Sequence, residues 1–165
     1  MNKFDVIVIG GGVAGLHSAK LTANAGLSTL LIEKDTLGGR SIHGGGTFFH
    51  HIYQSLKMVN NLQHAEYWNI QQNCDDAKID FSALFTNYER RKKLIETRHY
   101  EEIQTENLVY VQGFATLVDP HTVQVNEEKY VGKHIILAYG AKLGRPDILG
   151  LENALQKDIS LHQPK

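Results

Sequence analysis

Residues 4–15 read FDVIVIGGGVAG, and this stretch decides the fold of the chain. Its first half, residues 4–9, is a β-branched run with almost no polar break, which is typical of a strand buried on both faces of a parallel sheet. After the glycines, residues 13–25 carry apolar side chains at helical spacing and end at Gly26, a usual helix-terminating residue. Residues 28–33 (STLLIE) are a second buried strand. The stretch therefore predicts a βαβ unit.

The glycines of this unit fit a nucleotide-binding turn. Gly10, Gly12 and Gly15 form a G-x-G-x-x-G motif between strand and helix, and Glu33 follows 18 residues after Gly15 at the end of the second strand. Gly10 permits the turn, Gly12 lets a pyrophosphate approach the backbone, and Gly15 lets the helix pack close to the strand. The helix N-terminus then offers N–H groups to the phosphates.

The acidic residue at the end of the second strand bears on which nucleotide binds. Glu33 would accept hydrogen bonds from a free ribose hydroxyl pair, and its negative charge would repel a 2′-phosphate. NADP is therefore disfavoured. Both FAD and NAD remain compatible with this part of the sequence.

The middle of the chain is predicted to be a loop followed by two helices. Residues 37–46 contain five glycines in ten positions, which predicts a loop that exposes its backbone. Residues 47–64 and 80–103 are predicted helices, the second with apolar side chains at i, i+3, i+4 and i+7 spacing. The polar residues 71–78 between them are predicted to form a loop.

The last third of the chain reads as β-structure. Three short segments alternate apolar and polar residues and are predicted to be antiparallel strands, and a buried strand follows. The segments are residues 108–111, 115–118 and 122–125, and the buried strand is residues 130–138. The whole pattern predicts an α/β, Rossmann-like three-layer fold with a central parallel sheet and a small antiparallel β-meander.

Beyond these patterns, the sequence resembles a known family. Residues 4–39 (FDVIVIGGGVAGLHSAKLTANAGLSTLLIEKDTLGG) resemble the start of the class I pyridine nucleotide–disulfide oxidoreductases, which include dihydrolipoamide dehydrogenase, glutathione reductase and mercuric reductase. Residues 79–96 (IDFSALFTNYERRKKLIE) are similar to the family's long helix, and residues 109–125 (VYVQGFATLVDPHTVQV) to its adenine-side strands. Residues 133–154 resemble the strand that ends in the family's Ala-Thr-Gly turn.

The resemblance implies an FAD-dependent oxidoreductase in which the first glycine turn holds the ADP half of FAD. Gly113 and Ala115 would then lie near the adenine. Gly38, Gly39 and Arg40 would lie near the pyrophosphate and ribityl chain. The full set of cofactor-binding residues implied in this way is Gly10, Gly12, Val13, Ala14, Gly15, Glu33, Lys34, Gly38, Gly39, Arg40, Ser41, Gly113, Phe114, Ala115, Ala138, Tyr139 and Gly140.

The sequence departs from the family where the family carries its redox chemistry. The family continues from its paired glycines into Cys-x4-Cys and Ile-Pro-Ser-Lys, but this chain has Ser41 and Gly46 at the cysteine positions. Serine forms no thiolate at neutral pH and glycine has no side chain, so dithiol chemistry at these positions is excluded. His50 stands at the lysine position, where it would be a donor or proton carrier near flavin N5. In the alternative interpretation, His50 is a solvated or core-capping histidine without a role at the flavin.

The chain's length sets its domain organisation and leaves three readings of its function. Residues 1–154 are predicted to form a single incomplete FAD-binding domain, and residues 155–165 a polar tail. In the first reading, the chain is one piece of a split or truncated flavin oxidoreductase, and a partner chain carries the family's second flavin segment, NAD domain and interface domain. NAD(P)H would then act only through that partner chain. The alternatives are a free-standing FAD- or ADP-binding module without catalysis, and a truncated remnant that acts only with a partner.

Composition excludes several other classes. With 17 basic and 18 acidic residues there is no charge bias towards nucleic acid, and no apolar stretch is long enough to span a membrane. The single cysteine, Cys74, is flanked by two carboxylates that would raise its thiol pKa, so it is expected to be inert. No histidine spacing matches a metal site, so no metal is expected. The basic residues 90–93 are a solvated helix face, and a cytoplasmic location fits best.

Overall fold

The computed structural model describes residues 2–43, 46–71, 77–141 and 147–149. Cys74, most of the predicted loop at residues 71–78, and the predicted tail at residues 155–165 lie outside this range. The elements are, in chain order, β1 (Asn2–Ile9), α1 (Val13–Asn24), β2 (Thr29–Glu33), α2 (Gly39–His43), α3 (Gly46–Gln63), a single 3-10 turn (Ala65–Trp68), α4 (Phe81–Glu102), β3 (Leu108–Gln112), β4 (Ala115–Asp119), β5 (Thr122–Val125) and β6 (Glu128–Leu137).

A six-stranded sheet in the order β3-β2-β1-β6-β5-β4 forms the centre of the molecule. The four strands β3, β2, β1 and β6 are parallel, with Ile7 opposite Leu30 on one side and opposite Ile135 on the other. β4, β5 and β6 form an antiparallel meander. The predicted α/β, Rossmann-like fold with a parallel sheet and a small meander is therefore confirmed.

The parallel strands bury both of their faces, as the apolar run at residues 4–9 predicts. Successive side chains of a strand point to opposite faces. Val6 and Val8 pack with Leu16 of α1 in one apolar cluster. Ile7 packs with Val123 of β5 in a second cluster on the other face. Helix α1 thus covers one face of the parallel strands, and the meander covers the other face.

One strand pairs differently from the prediction. β3 was expected to be antiparallel, but it lies parallel to β2, with Thr29 opposite Leu108 and Glu33 opposite Gln112. Alternation of apolar and polar residues is the same in both kinds of pairing, so it does not reveal strand direction. The chain between β2 and β3 contains α2, α3 and α4, and a long helical connection of this kind joins parallel strands.

The glycine-rich loop predicted at residues 37–46 is also wrong in part. Gly39–His43 forms the short helix α2, and α3 begins at Gly46. Ile42 is buried, and its carbonyl accepts a 2.8 Å hydrogen bond from the Tyr88 hydroxyl on α4. A distant side chain therefore stabilises a turn of helix that glycine content alone disfavours.

Helices α3 and α4 form a helical arm beside the sheet. Asp80 caps α4 by accepting from the Ala83 N–H at 2.9 Å, as expected of a residue that begins a helix. The two predicted helices are confirmed. Their shared apolar cluster consists of Phe48, Leu84 and Tyr88, with Ile52, Ile79 and Phe85 packed at its edge. No helix in the described parts of the chain is long and apolar enough to cross a membrane.

Candidate functional site

The first glycine turn lies where β1 ends, at the edge of the sheet formed by the carboxyl ends of the parallel strands. Gly10 has a φ of 106°, and its N–H donates to the Ile32 carbonyl at 2.8 Å. A Cβ on Gly10 would lie 2.3 Å from the carbonyl oxygen of Ala138. Both the backbone conformation and this close contact with the chain after β6 require glycine.

The other two motif glycines differ in what surrounds them. A Cβ on Gly15 would lie 1.7 Å from the Gly10 carbonyl oxygen, so this glycine permits the contact between α1 and the turn. A Cβ on Gly12 would have Gly39 Cα as its nearest neighbour, at 3.9 Å. The backbone at Gly12 is therefore open to a group from outside the protein.

Gly12 is also the N-cap of α1, and the cap has no side-chain hydrogen bond. Val13 and Ala14 follow it and are exposed, and the first turn of the helix carries no acidic residue. The first N–H groups of a helix have no partner within the helix. Together with the helix dipole, they give the turn the properties of an anion-binding site.

Glu33 lies beside this turn, and two backbone groups orient its carboxylate. One oxygen accepts from the Gly11 N–H at 2.5 Å, and the other accepts from the Asp35 N–H at 2.9 Å. Each carboxylate oxygen has a further lone pair, so the group can still accept hydroxyl donors. Lys34 is exposed and pairs with Asp35 at 3.3 Å. Gly11, the middle glycine of the motif, is not among the site residues predicted from the sequence.

A second pair of glycines packs directly against the first turn. The Gly38 N–H donates to the Gly11 carbonyl at 2.8 Å. Gly39 lies so close to Gly12 that a Cβ on Gly39 would be 2.9 Å from the Gly12 Cα. The start of α2 therefore forms one wall of the turn.

The two residues after this pair point in different directions. Arg40 is exposed, and its Nη1 donates to the Ala141 carbonyl at 3.4 Å, which links α2 to the chain that follows β6. The Ser41 hydroxyl donates to the Gly38 carbonyl at 3.1 Å. Arg40 therefore brings a positive charge close to the same edge of the sheet.

The chain after β3 reaches the same edge. The Gly113 N–H donates to the Glu33 carbonyl at 2.8 Å, and a Cβ on Gly113 would lie 2.5 Å from Val125 Cγ1. The ring of Phe114 is 70% exposed, and Ala115 begins β4. The predicted adenine-side residues thus adjoin the predicted ribose-binding carboxylate.

The chain after β6 completes the group. The Ala138 N–H donates to the Ile9 carbonyl at 2.8 Å, which places Ala138 against Gly10. Tyr139 is 74% exposed, and Gly140 has a φ of 75°. Four separate segments therefore meet at one sheet edge.

Positions 41 and 46, which the resemblance aligns with the family's cysteines, lie close together. A Cβ on Gly46 would be 3.5 Å from the Ser41 carbonyl oxygen, and the Thr47 hydroxyl donates to that oxygen at 2.5 Å. Neither position has a sulfur atom. His50 is exposed on α3, where its Nε2 lies 3.3 Å from Gln54 Nε2.

Two contacts between α2 and α4 were not foreseen from the sequence. The Tyr88 hydroxyl donates to the Ile42 carbonyl, and burial, with a smaller effect of Glu89 and Glu96, raises the pKa of Tyr88. His43 Nδ1 lies 3.4 Å from Glu96 Oε1. Because the partners are about fifty residues apart in the sequence, no local sequence pattern predicts these contacts. In the described parts of the chain, no three His, Cys, Asp or Glu side chains group as metal ligands.

The chain is similar to several characterised proteins, about a third of whose length it spans. It is 26% identical to the glutathione reductase of Nostoc sp., covering 98% of this chain and 36% of that protein. It is 29% identical to the dihydrolipoyl dehydrogenase of Mycoplasma genitalium, covering 93% and 33%. It is 26% identical to the mercuric reductase of Lysinibacillus sphaericus, covering 92% and 28%.

A solved structure shares the fold. This is the Cu(II) complex of the HOCl-induced flavoprotein disulfide reductase RclA from Escherichia coli, which matches with a TM-score of 0.67 at 22% identity over 94% of this chain and 32% of that chain. The model of the pyridine nucleotide-disulphide oxidoreductase family matches residues 4–163. Because this match covers nearly the whole sequence, the chain belongs to the pyridine nucleotide-disulphide oxidoreductase family.

Proposed function

We propose that this chain is the FAD-binding part of an FAD-dependent oxidoreductase and that its first glycine turn binds the ADP half of FAD. One observation carries the proposal. Gly10 and Gly15 are closed in by backbone, whereas the backbone at Gly12 is open and stands at an uncapped helix N-terminus. This is the arrangement that lets a pyrophosphate contact backbone N–H groups.

The neighbouring residues supply the remaining contacts of an ADP group. The oriented carboxylate of Glu33 accepts the ribose hydroxyls, and Gly113 and Ala115 face the adenine. Arg40 adds a positive charge for the pyrophosphate. FAD, when bound, supplies a flavin ring that accepts a hydride or electrons. The residues of this chain bind and orient the cofactor.

The residues at positions 41 and 46 make the redox route different from that of a dithiol enzyme. Ser41 has a hydroxyl and Gly46 has no side chain, so no thiolate forms at either position. A flavin bound here would therefore have to pass its electrons to an acceptor other than a disulfide at these positions. His50 is proposed as a donor near flavin N5.

The curated relatives are about three times as long as this chain. We therefore assign the remaining walls of the flavin site, and any site for NAD(P)H, to residues outside this sequence or to a partner chain. Without them, the chain should bind FAD little better than ADP. A non-catalytic FAD- or ADP-binding module is the second candidate. It is favoured by the replacement of both cysteines.

Gly12→Ala is the sharpest test of the proposed site. The added methyl group would meet no atom of the described residues closer than 3.9 Å, so the unfolding midpoint should stay nearly unchanged. The methyl group would occupy the approach of the pyrophosphate, so affinity for FAD and for ADP-ribose should fall about tenfold or more. Isothermal titration calorimetry measures the affinity. Gly26→Ala is the control, because Gly26 ends α1 away from the site. Equal affinity of Gly12→Ala and the unmodified chain would refute the site.

Glu33→Ala tests the assignment of the ribose contact. A charge-assisted hydrogen bond contributes about 1.5–3 kcal/mol, so the affinity for ADP should fall about tenfold or more. ADP carrying a 2′-phosphate should bind the unmodified chain more weakly than ADP itself. An affinity that calorimetry finds unchanged in Glu33→Ala would contradict the assignment.

A kinetic assay tests the absence of dithiol chemistry. The chain is mixed with FAD and NADH, and reduction of lipoamide, glutathione disulfide and mercuric ion is followed. We expect no turnover. Tight stoichiometric FAD or measurable disulfide reduction by the isolated chain would show that the proposal misjudges the flavin site or positions 41 and 46.

A further inference from the structure

Hydroxyl groups of the helical arm bind the last carbonyl groups of α2. A helix leaves its final carbonyls without a partner of its own, and α2 is a short helix of five residues, Gly39–His43. The Ile42 carbonyl accepts from the Tyr88 hydroxyl on α4 at 2.8 Å. The Ser41 carbonyl accepts from the Thr47 hydroxyl on α3 at 2.5 Å. Both helices of the arm therefore hold the end of α2.

The two hydrogen bonds differ in burial. The bond from Tyr88 is buried, since the Tyr88 and Ile42 residues are only 3% and 5% exposed. The bond from Thr47 is exposed to solvent. Water can replace a lost partner at an exposed carbonyl, whereas a buried carbonyl without a partner is costly. Tyr88 is therefore the stronger of the two attachments.

Ile42 connects this attachment to the second pair of glycines. Its Cδ1 lies so close to Gly38 that a Cβ on Gly38 would overlap it, so the Ile42 side chain packs directly on the Gly38 backbone. The Gly38 N–H donates to the Gly11 carbonyl at 2.8 Å, and Gly39 packs against Gly12. A shift of Ile42 would therefore move both glycines of the second pair relative to the first turn.

Arg40 belongs to the same short helix and lies between the second glycine pair and Ile42. Its Nη1 donates to the Ala141 carbonyl at 3.4 Å, which places the guanidinium at the edge of the sheet where the first glycine turn lies. The position of this positive charge therefore also depends on where α2 is held.

We propose that Tyr88 is a positioning residue for the nucleotide site, and that its hydroxyl holds α2 so that Gly39 and Arg40 meet the pyrophosphate of the ADP half of FAD. The inference rests on the proposed function, because it concerns groups that the proposed site uses. Tyr88 acts through α2. Nucleotide affinity falls in proportion to the fraction of molecules in which the binding groups are in place. Loss of the hydroxyl lowers that fraction.

Tyr88→Phe removes the hydroxyl and keeps an aromatic ring in the cluster with Phe48, so the fold is retained. In calorimetric titrations with ADP-ribose, its affinity should be about threefold to tenfold lower than that of the unmodified chain. Tyr53→Phe is the matched control, because it removes a hydroxyl from an exposed tyrosine of the same arm, and it should leave the affinity unchanged. Equal affinity of Tyr88→Phe and the unmodified chain would overturn the inference.

Two double variants separate positioning from a general loss of structure. Arg40→Ala removes the charge that Tyr88 positions, so Tyr88→Phe should lower the affinity by a smaller factor in that background. Glu33→Ala removes the proposed ribose contact on β2, so the factor should stay the same there. An identical factor in all three backgrounds would mean that Tyr88 stabilises the fold as a whole, and would overturn its positioning role.

Amide hydrogen exchange tests the same attachment without ligand. The Gly38 N–H should exchange faster in Tyr88→Phe than in the unmodified chain, while the Ile7 N–H in the middle of β1 should exchange at the same rate in both. If ADP-ribose does not bind the unmodified chain, the proposed function fails, and exchange at Gly38 still decides whether Tyr88 holds α2. Unchanged exchange at Gly38 would overturn the inference.

Discussion

The proposed nucleotide cradle and the helical arm are held together by different kinds of contact. The cradle consists of Gly10, Gly12, Gly15, Gly38, Gly39 and Glu33. In the cradle, backbone touches backbone, and a methyl group on Gly10 or Gly15 would lie 2.3 Å or 1.7 Å from a carbonyl oxygen. In the arm, the buried cluster is small, and the exposed faces of α3 and α4 carry large apolar side chains such as Tyr53 and Leu94. Gly10 and Gly15 therefore tolerate no side chain, whereas the arm has room to adjust.

The two regions are nevertheless joined. α4 contacts α2 through the Tyr88 hydroxyl and through Glu96, and it contacts α1 through the pair of Lys20 and Glu102 at 2.7 Å. The arm therefore supports the walls of the cradle from outside. Changes in the arm should reach the cradle through these contacts and through Tyr100 of α4, which packs against the apolar cluster that contains Leu16 of α1. The predictions below test how far the two regions are separable.

The largest effect is expected for Gly15→Ala. Its methyl group would overlap the Gly10 carbonyl oxygen, and neither side of the contact is a flexible side chain. Helix α1 must move away from β1, so we expect a loss of about 4 kcal/mol in the free energy of unfolding. Urea denaturation followed by circular dichroism measures it. Gly26→Ala, whose φ is 83° but whose Cβ would meet no atom of the described residues within 4 Å, should cost only about 1 kcal/mol. Equal losses of unfolding free energy in the two variants would mean that the contact with the Gly10 carbonyl is not what destabilises Gly15→Ala.

A smaller and more local effect is expected for Phe48→Ala. The centroid of the Phe48 ring lies 4.9 Å from that of the Tyr88 ring and 6.0 Å from that of the Phe85 ring. The Phe48 and Phe85 rings meet edge-on. Because the cluster is small and at the surface, it can partly collapse, and we expect a cost of about 2 kcal/mol. Hydrogen exchange should speed up in α4 and stay unchanged in β1. Phe81→Ala at the start of α4 is the control, since Phe81 is 59% exposed. Faster exchange throughout the sheet would show that arm and cradle are one unit.

The smallest effect concerns the ion pair between arm and α1. Hydrogen bonds from Lys20 and then Arg98 lower the pKa of Glu102 to about 2 from an ordinary value of 4.5. The folded pKa is depressed, so the stabilisation is present above pH 4.5 and is lost as the pH falls towards 2. These side chains are partly exposed, so it amounts to less than about 1 kcal/mol. Lys20→Gln should lower the urea midpoint at pH 7 and change it little at pH 2. The opposite pH dependence would contradict this reading.

Much of the architecture follows from local pattern. The buried run at residues 4–9, the glycines and the second strand predict the βαβ unit, because each signal depends only on neighbouring residues. The start of α4 was predictable at Asp80 for the same reason, since a capping side chain acts within one turn. The family resemblance was confirmed by the match over residues 4–163.

Other features could not be read in this way. The direction of β3 and the existence of α2 both depend on α4, which lies far away in sequence. Gly11 could not be predicted as a site residue, because its hydrogen bond joins it to Glu33, which lies 22 positions away in the sequence. The contact of His43 with Glu96 has no signature in either local sequence.

The sequence by itself determined that the chain forms a parallel α/β sheet with a glycine-rich turn between its first strand and first helix, because strand burial, helix spacing and glycine conformation are local properties. It also determined that positions 41 and 46 have no thiol. Only the tertiary structure decided that Gly39 packs against Gly12, that Gly12 alone among the motif glycines stays open, and that His43 is placed between Leu37 and Glu96. The reason is physical: these contacts join segments that are brought together only when the sheet and the helical arm have formed.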